Sequence, residues 1–162
     1  MNVAALFGLS VLMSFLAFGI VTKLYILPRL RVMHREKAVV ALVVPHTFRF
    51  VGLSFLVPGV VSPSLPSAFA APAAYGDLVA AILAVSATLA LSARARWASA
   101  IVWVFNVWGS VDLLNAIYQG QIGVGISPGS LGAAFFIPTV VVPPLLITHA
   151  LIFWLLLRRK QS

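Results

Sequence analysis

Apolar positions in this chain fall into five long runs, separated by short segments rich in basic, glycine, proline or serine residues. A helix that crosses a bilayer needs roughly 20 mainly apolar residues. The runs predict helices over about 3–27, 38–61, 74–91, 97–118 and 131–157. Lys23 is the only charge in the first. The second holds His46 and Arg49, and the third starts close to Asp77. The fourth carries Asn106, Asp112 and Asn115, and the fifth carries His149. Only Ser92-Ala93-Arg94-Ala95-Arg96 separates the third from the fourth, which suits a tight helical hairpin. The expected fold is an all-α membrane protein, a single domain over 1–162 forming a bundle of five transmembrane helices.

The basic residues give this bundle an orientation. None precedes the first run. Lys23, Arg29, Arg31, Arg35 and Lys37 sit at or after its end, Arg94 and Arg96 lie between the third and fourth, and Arg158, Arg159 and Lys160 follow the fifth. The other two connections have none. Ten of the 11 Lys and Arg therefore fall on one side, Arg49 being the exception. Cytoplasmic loops carry the excess of Lys and Arg, so the N-terminus is expected outside and the C-terminus in the cytoplasm. Tyr25, Trp97 and Trp154 fall near the inner interface, with Tyr75 and Tyr118 near the outer one. The first run lacks a basic start and exceeds the roughly 7–15 apolar residues of a signal peptide, so it reads as a retained helix.

Composition narrows the class. Hydrophobic residues make up 62% of the 162 and charged residues only 9%, against roughly 25% in an average soluble domain. Mean hydropathy is +1.09. A soluble enzyme, a disordered tail and a secreted disulfide scaffold are excluded. With 0 Cys there is no thiolate metal site or cysteine nucleophile. The net charge of +8 lies in short clusters beside apolar runs, which suits anionic headgroups and not nucleic acid. Eight Arg against three Lys, with abundant Ala, suits a GC-rich bacterial genome and hence the bacterial inner (plasma) membrane. The expected partners are the lipid bilayer and either further copies of the chain or a larger membrane complex.

Polar groups at membrane depth need a reason. By a rise of roughly 1.5 Å per residue, Arg49 lies near the midplane and Asp112 in the outer half, about 6 Å apart in depth. Glu36 is in a basic loop. Asp77 reads as a helix-start carboxylate on the positive end of the dipole. Asp112 then remains as the natural counter-ion of Arg49. Trp108, Asp112, Asn115 and Gln119 form one stripe by spacing, and such a stripe faces other helices or a water-filled cavity. Asn106, on the same helix, is a further partner. The stripe reads either as interhelical hydrogen bonding or as the wall of a pocket open to the outside. Ala80, Ala84, Ala87 and Ala90 make a small-residue face for close packing, and Pro143-Pro144 is expected to bend the fifth helix near mid-membrane.

His46 and His149 fall at matching depth on different helices, the arrangement that bis-histidine ligation of haem b requires. Hydrolase, kinase and zinc-protease motifs are absent, and Gly123-x-Gly125 has neither the preceding strand nor the lysine of a phosphate loop. Three functions compete. The first is a non-enzymatic accessory or ligand-binding bundle with a polar interior around Arg49 and Asp112. The second is a haem b redox protein using His46 and His149. The third is a proton or small-solute transporter working as a homo-oligomer.

Overall fold

The computed structural model describes residues 2–158; Arg159 and Lys160 of the C-terminal basic cluster lie outside them. The described residues are helical with no β-strand, and five helices are long and apolar enough to cross a membrane. They are α1 (Val3–Val32), α2 (Arg35–Leu56), α3 (Ser67–Ser92), α4 (Ala98–Gly123) and α5 (Ile137–Leu157). A short 3₁₀ segment, Pro128–Phe135, joins α4 to α5.

The turns after α1 and α3 meet at one end, where residues 34–37, 94–96, 98–99 and Leu156 border a common cleft. This basic end carries the clustered Lys and Arg. At the opposite end the loops after α2 and α4 are tied together: Ser62 N–H donates to the Ser130 carbonyl at 3.0 Å, and Ala133 N–H to that of Val60 at 2.8 Å. Gly132 between them has φ +53°, and a Cβ there would strike the Val60 carbonyl, so the crossing admits only glycine.

Helix α3 is the centre of the packing. Its predicted face is buried throughout, Ala80, Ala84, Ala87 and Ala90 included, and it lies between α2 and α4. Small side chains let the helix backbones approach closely. Helix α1 leans mainly on α5 and the 128–135 segment and buries almost nothing else.

Several boundaries differ from the sequence expectation. Helix α3 starts at Ser67, not near 74, because the extended Pro66 opens it and Pro72 is accommodated inside. Asp77 is thus well within the helix. Helix α2 starts at Arg35 and stops at Leu56, because Val57 is extended before Pro58 as residues preceding proline prefer to be. Helix α5 begins at Ile137, since Gly132 breaks the chain before it. Pro143 and Pro144 consequently sit at the seventh and eighth of its 21 residues, just after a π-turn at Ile137–Val141 that absorbs Pro138.

The half of α2 remote from the basic end, Val44–Leu56, is a 3₁₀ helix of 13 residues with Pro45 in its first turn. Runs beyond roughly 4 residues are uncommon, and residues three apart eclipse in this geometry. His46, Arg49, Gly52 and Phe55 therefore line up on one edge, and these four are the buried residues of the segment. The 3₁₀ rise of about 2.0 Å per residue, with the earlier helix start, sets Arg49 about 24 Å from the basic end and Asp112 about 21 Å. The expected step of about 6 Å in depth shrinks to about 3 Å.

Candidate functional site

Arg49 is the largest fully buried side chain described, with 1% of its side chain exposed. Its Nε donates to Asp77 Oδ1 at 2.8 Å, and its Nη2 to Asp112 Oδ2 at 2.6 Å. The same Nη2 lies 2.7 Å from Asp77 Oδ1, and Nη1 donates to the Gly109 carbonyl at 3.2 Å. One guanidinium thus ties α2 to α3 and α4. The pairing of Arg49 with Asp112 was the one expected from sequence. The second carboxylate departs from the helix-start expectation for Asp77: the early start of α3 places it within the helix, on Arg49.

Three glycines make this possible. A Cβ on Gly52 of α2 would collide with the Asp77 side chain, and one on Gly76 of α3 with the Asp112 carboxylate. One on Gly109 of α4 would crowd the His149 ring and Arg49 Nη1. Each helix gives up a side chain where a neighbour inserts a polar one. The sequence signal was present, as glycine inside an apolar helix marks close approach, but it does not say what approaches.

On the basic side of Arg49 lies a second polar layer. Thr148 Oγ1 is within hydrogen-bond distance of the Pro144 and Leu145 carbonyls, at 3.0 and 2.9 Å. Its single proton goes to one of them, so at 2.9 Å its oxygen accepts from His46 Nε2–H. His149 Nδ1–H donates to Asn106 Oδ1 at 2.7 Å, and Asn106 Nδ2 returns a bond to the His149 carbonyl at 3.3 Å. These assignments leave His46 Nδ1 and His149 Nε2 as buried acceptors without a partner. Beyond them Val43, Val102, Phe105, Ile152 and Leu155 close the bundle toward the basic end.

The two histidine rings do not fit a haem. Their centroids are 4.2 Å apart and tilted by 53°, with Phe105 packed against both at 5.0 and 5.3 Å. A porphyrin plane between them would have to part α2 from α5. The matching depth read from the sequence holds, but the rings touch each other rather than face across a gap. No cluster of three or more metal-ligating His or acidic residues occurs among the described residues.

The remaining stripe residues diverge. Trp108 is 45% exposed, and its indole N–H reaches the Gly76 carbonyl only at 3.5 Å. Asn115 is exposed and Gln119 half-buried; with Asp112 they edge a small crevice against Phe69 and Pro72 of α3. Asn106, by contrast, is fully buried in the histidine layer. Three stripe residues, Asp112, Asn115 and Gln119, thus share that crevice, Trp108 does not line it, and Asp112 alone reaches Arg49.

Asp77 and Asp112 keep 11% and 12% of their side chains exposed, and both border a cavity of about 450 Å³. Its walls are otherwise apolar save Gln121 and include Phe7 and Val11 of α1, Phe69 of α3, Leu113 of α4 and Leu146 of α5. Ligand pockets commonly measure roughly 300–1,000 Å³, apolar with a few polar anchors. This cavity lies between α1 and the ends of α2–α5 remote from the basic loops.

Neither curated proteins nor solved structures give a match to the chain. Residues 6–157 match the family described as Domain of unknown function (DUF8737). That match spans nearly the whole chain, which belongs to the DUF8737 family.

Proposed function

We propose that this protein is a multi-pass membrane protein that binds an apolar molecule bearing one cationic group, in the cavity above Arg49, without catalysing a reaction. The observation that carries the reading is the acid–base count at the cavity floor. Two carboxyl groups converge on one guanidinium. A buried charge must be paired or neutralised, so the second carboxyl calls for a further positive partner or a proton. The apolar walls suit a hydrocarbon body, and the partly exposed carboxylates suit an ammonium head. The hydrophobic plug toward the basic end makes the site one-sided, as in a receptor or an outward-facing binding state.

The alternation of basic loops supports an outside N-terminus, a cytoplasmic C-terminus and placement in a bacterial inner membrane. In that frame the cavity opens toward the outer leaflet, where an amphiphile would enter beside the loosely held α1. A C-terminal alkaline phosphatase fusion is expected to be inactive; activity would reverse the orientation. Binding is tested on the purified chain with decylamine, decanol and decyl sulfate, which share a tail and differ in head charge. The amine is expected to raise Tm most. Equal shifts for amine and alcohol would reject the cationic specificity.

A further inference from the structure

The basic end carries a second, unrelated cleft of about 810 Å³, between the α1–α2 turn, the α3–α4 turn and the end of α5. Arg35, Lys37, Arg94 and Arg96 border it with His34, and Glu36 is the single acid among them. Four fixed positive charges thus face one negative charge. The deeper lining is apolar, with Val39 and Val102 buried at its floor.

The α3–α4 turn holds Arg94 there at a cost. Ala95 N–H donates to the Ala90 carbonyl at 2.9 Å and Arg94 N–H to that of Leu91 at 3.1 Å, the hydrogen-bond pair of a Schellman helix end. The residue in the left-handed position of that motif is usually glycine. Here it is Arg94 at φ 51°, the only non-glycine residue with positive φ among those described. A long cation in a strained backbone position beside the cleft is an outlier that motivates a functional role. Arg35 is braced differently: its Nη2 donates to the Leu156 carbonyl at 2.9 Å, which fixes its stem beside the cleft.

We propose that this cleft binds a phosphate-bearing anion, with the phosphate on Arg94, Arg96 and Lys37 and any apolar portion against Val39 and Val102. Basic pockets between membrane helices on the cytoplasmic side recognise anionic headgroups, so a phospholipid is the favoured source; this part rests on the membrane reading above. A soluble phosphate ester presents the same chemistry.

The full chain is placed in phosphatidylcholine nanodiscs, alone, with phosphatidylglycerol, or with soluble glycerol phosphate. Tm and retained lipid by native mass spectrometry are read for the parent, for Arg94→Gln with Arg96→Gln, and for Arg29→Gln with Arg31→Gln. The last pair removes the same charge at the same end but lies outside the cleft. Stabilisation by one phosphate source is expected in the parent and in the Arg29/Arg31 variant, and its loss in the Arg94/Arg96 variant. Phosphatidylglycerol alone acting names a lipid site; glycerol phosphate acting names a soluble ester and holds even if the membrane reading fails. Arg94→Gly relaxes the turn, so it is expected to fold at least as stably and to bind several-fold more weakly. No response to either source, equal loss in both double variants, or parent-like binding by Arg94→Gly would overturn the proposal.

Discussion

Gly76 has no side chain at the place where the Asp112 carboxylate lies against α3. That vacancy lets α3 and α4 approach until both their aspartates reach Arg49. Gly76→Ala is expected to push Asp112 off the guanidinium and to cost about 1–3 kcal/mol, the usual range for overpacking a tight contact. Chemical denaturation in mixed micelles measures it. Parent-like stability would mean that Asp112 has room to spare.

The shared arginine makes a graded prediction. Asp77→Asn or Asp112→Asn leaves Arg49 one carboxylate and a hydrogen-bonding amide, so each should cost only about 1–2 kcal/mol. Both together strand a buried guanidinium, with an expected loss of about 3–5 kcal/mol. Adding Arg49→Met to that double variant should recover most of it. Strict additivity of the two aspartate changes, with no rescue by methionine, would show that the three groups do not act together.

The 44–56 segment of α2 is expected to show a period of three. With 0 native Cys, single cysteines through 44–56 can be probed with a thiol reagent. Cysteines at 46 and 55 should be protected and those at 50 and 56 labelled; 49 and 52 stay native, because Arg49 holds both carboxylates and a Cβ on Gly52 would strike Asp77. A 3.6-residue pattern would place this segment in an ordinary α-helix and break the alignment of His46 with Phe55.

Much of the fold was legible because apolar run length and the placement of Lys and Arg are one-dimensional signals. The pairing of Arg49 with Asp112 was legible too, by scarcity: a chain with three acids offers few counter-ions. Asp77 was misread because the start of α3 depends on Pro66 and on packing under the loops, which no hydropathy window detects. The 3₁₀ stretch was missed for a similar reason. Pro45 marks a disturbance but not its geometry, which contacts of Arg49 and Gly52 with α3 hold in place. The contact of His46 with His149 arises from the closeness of α2 and α5, whereas depth alone left room for a haem.

In the proposed site, Asp77 and Asp112 present the surplus carboxylate of an ion cluster to a ligand in the cavity beside α1. Gly8 lines that cavity, and a Cβ there would meet nothing within 4 Å, so Gly8→Leu adds bulk at the cavity wall from a position whose Cβ clashes with no neighbour. The most direct measurement is the Kd of decylamine for the parent, Gly8→Leu and Asp112→Asn, in one detergent. Both variants are expected to fold and to bind at least about tenfold more weakly, a difference of about 1.4 kcal/mol. Decylamine bound with parent affinity by both would rule out this cavity as its site.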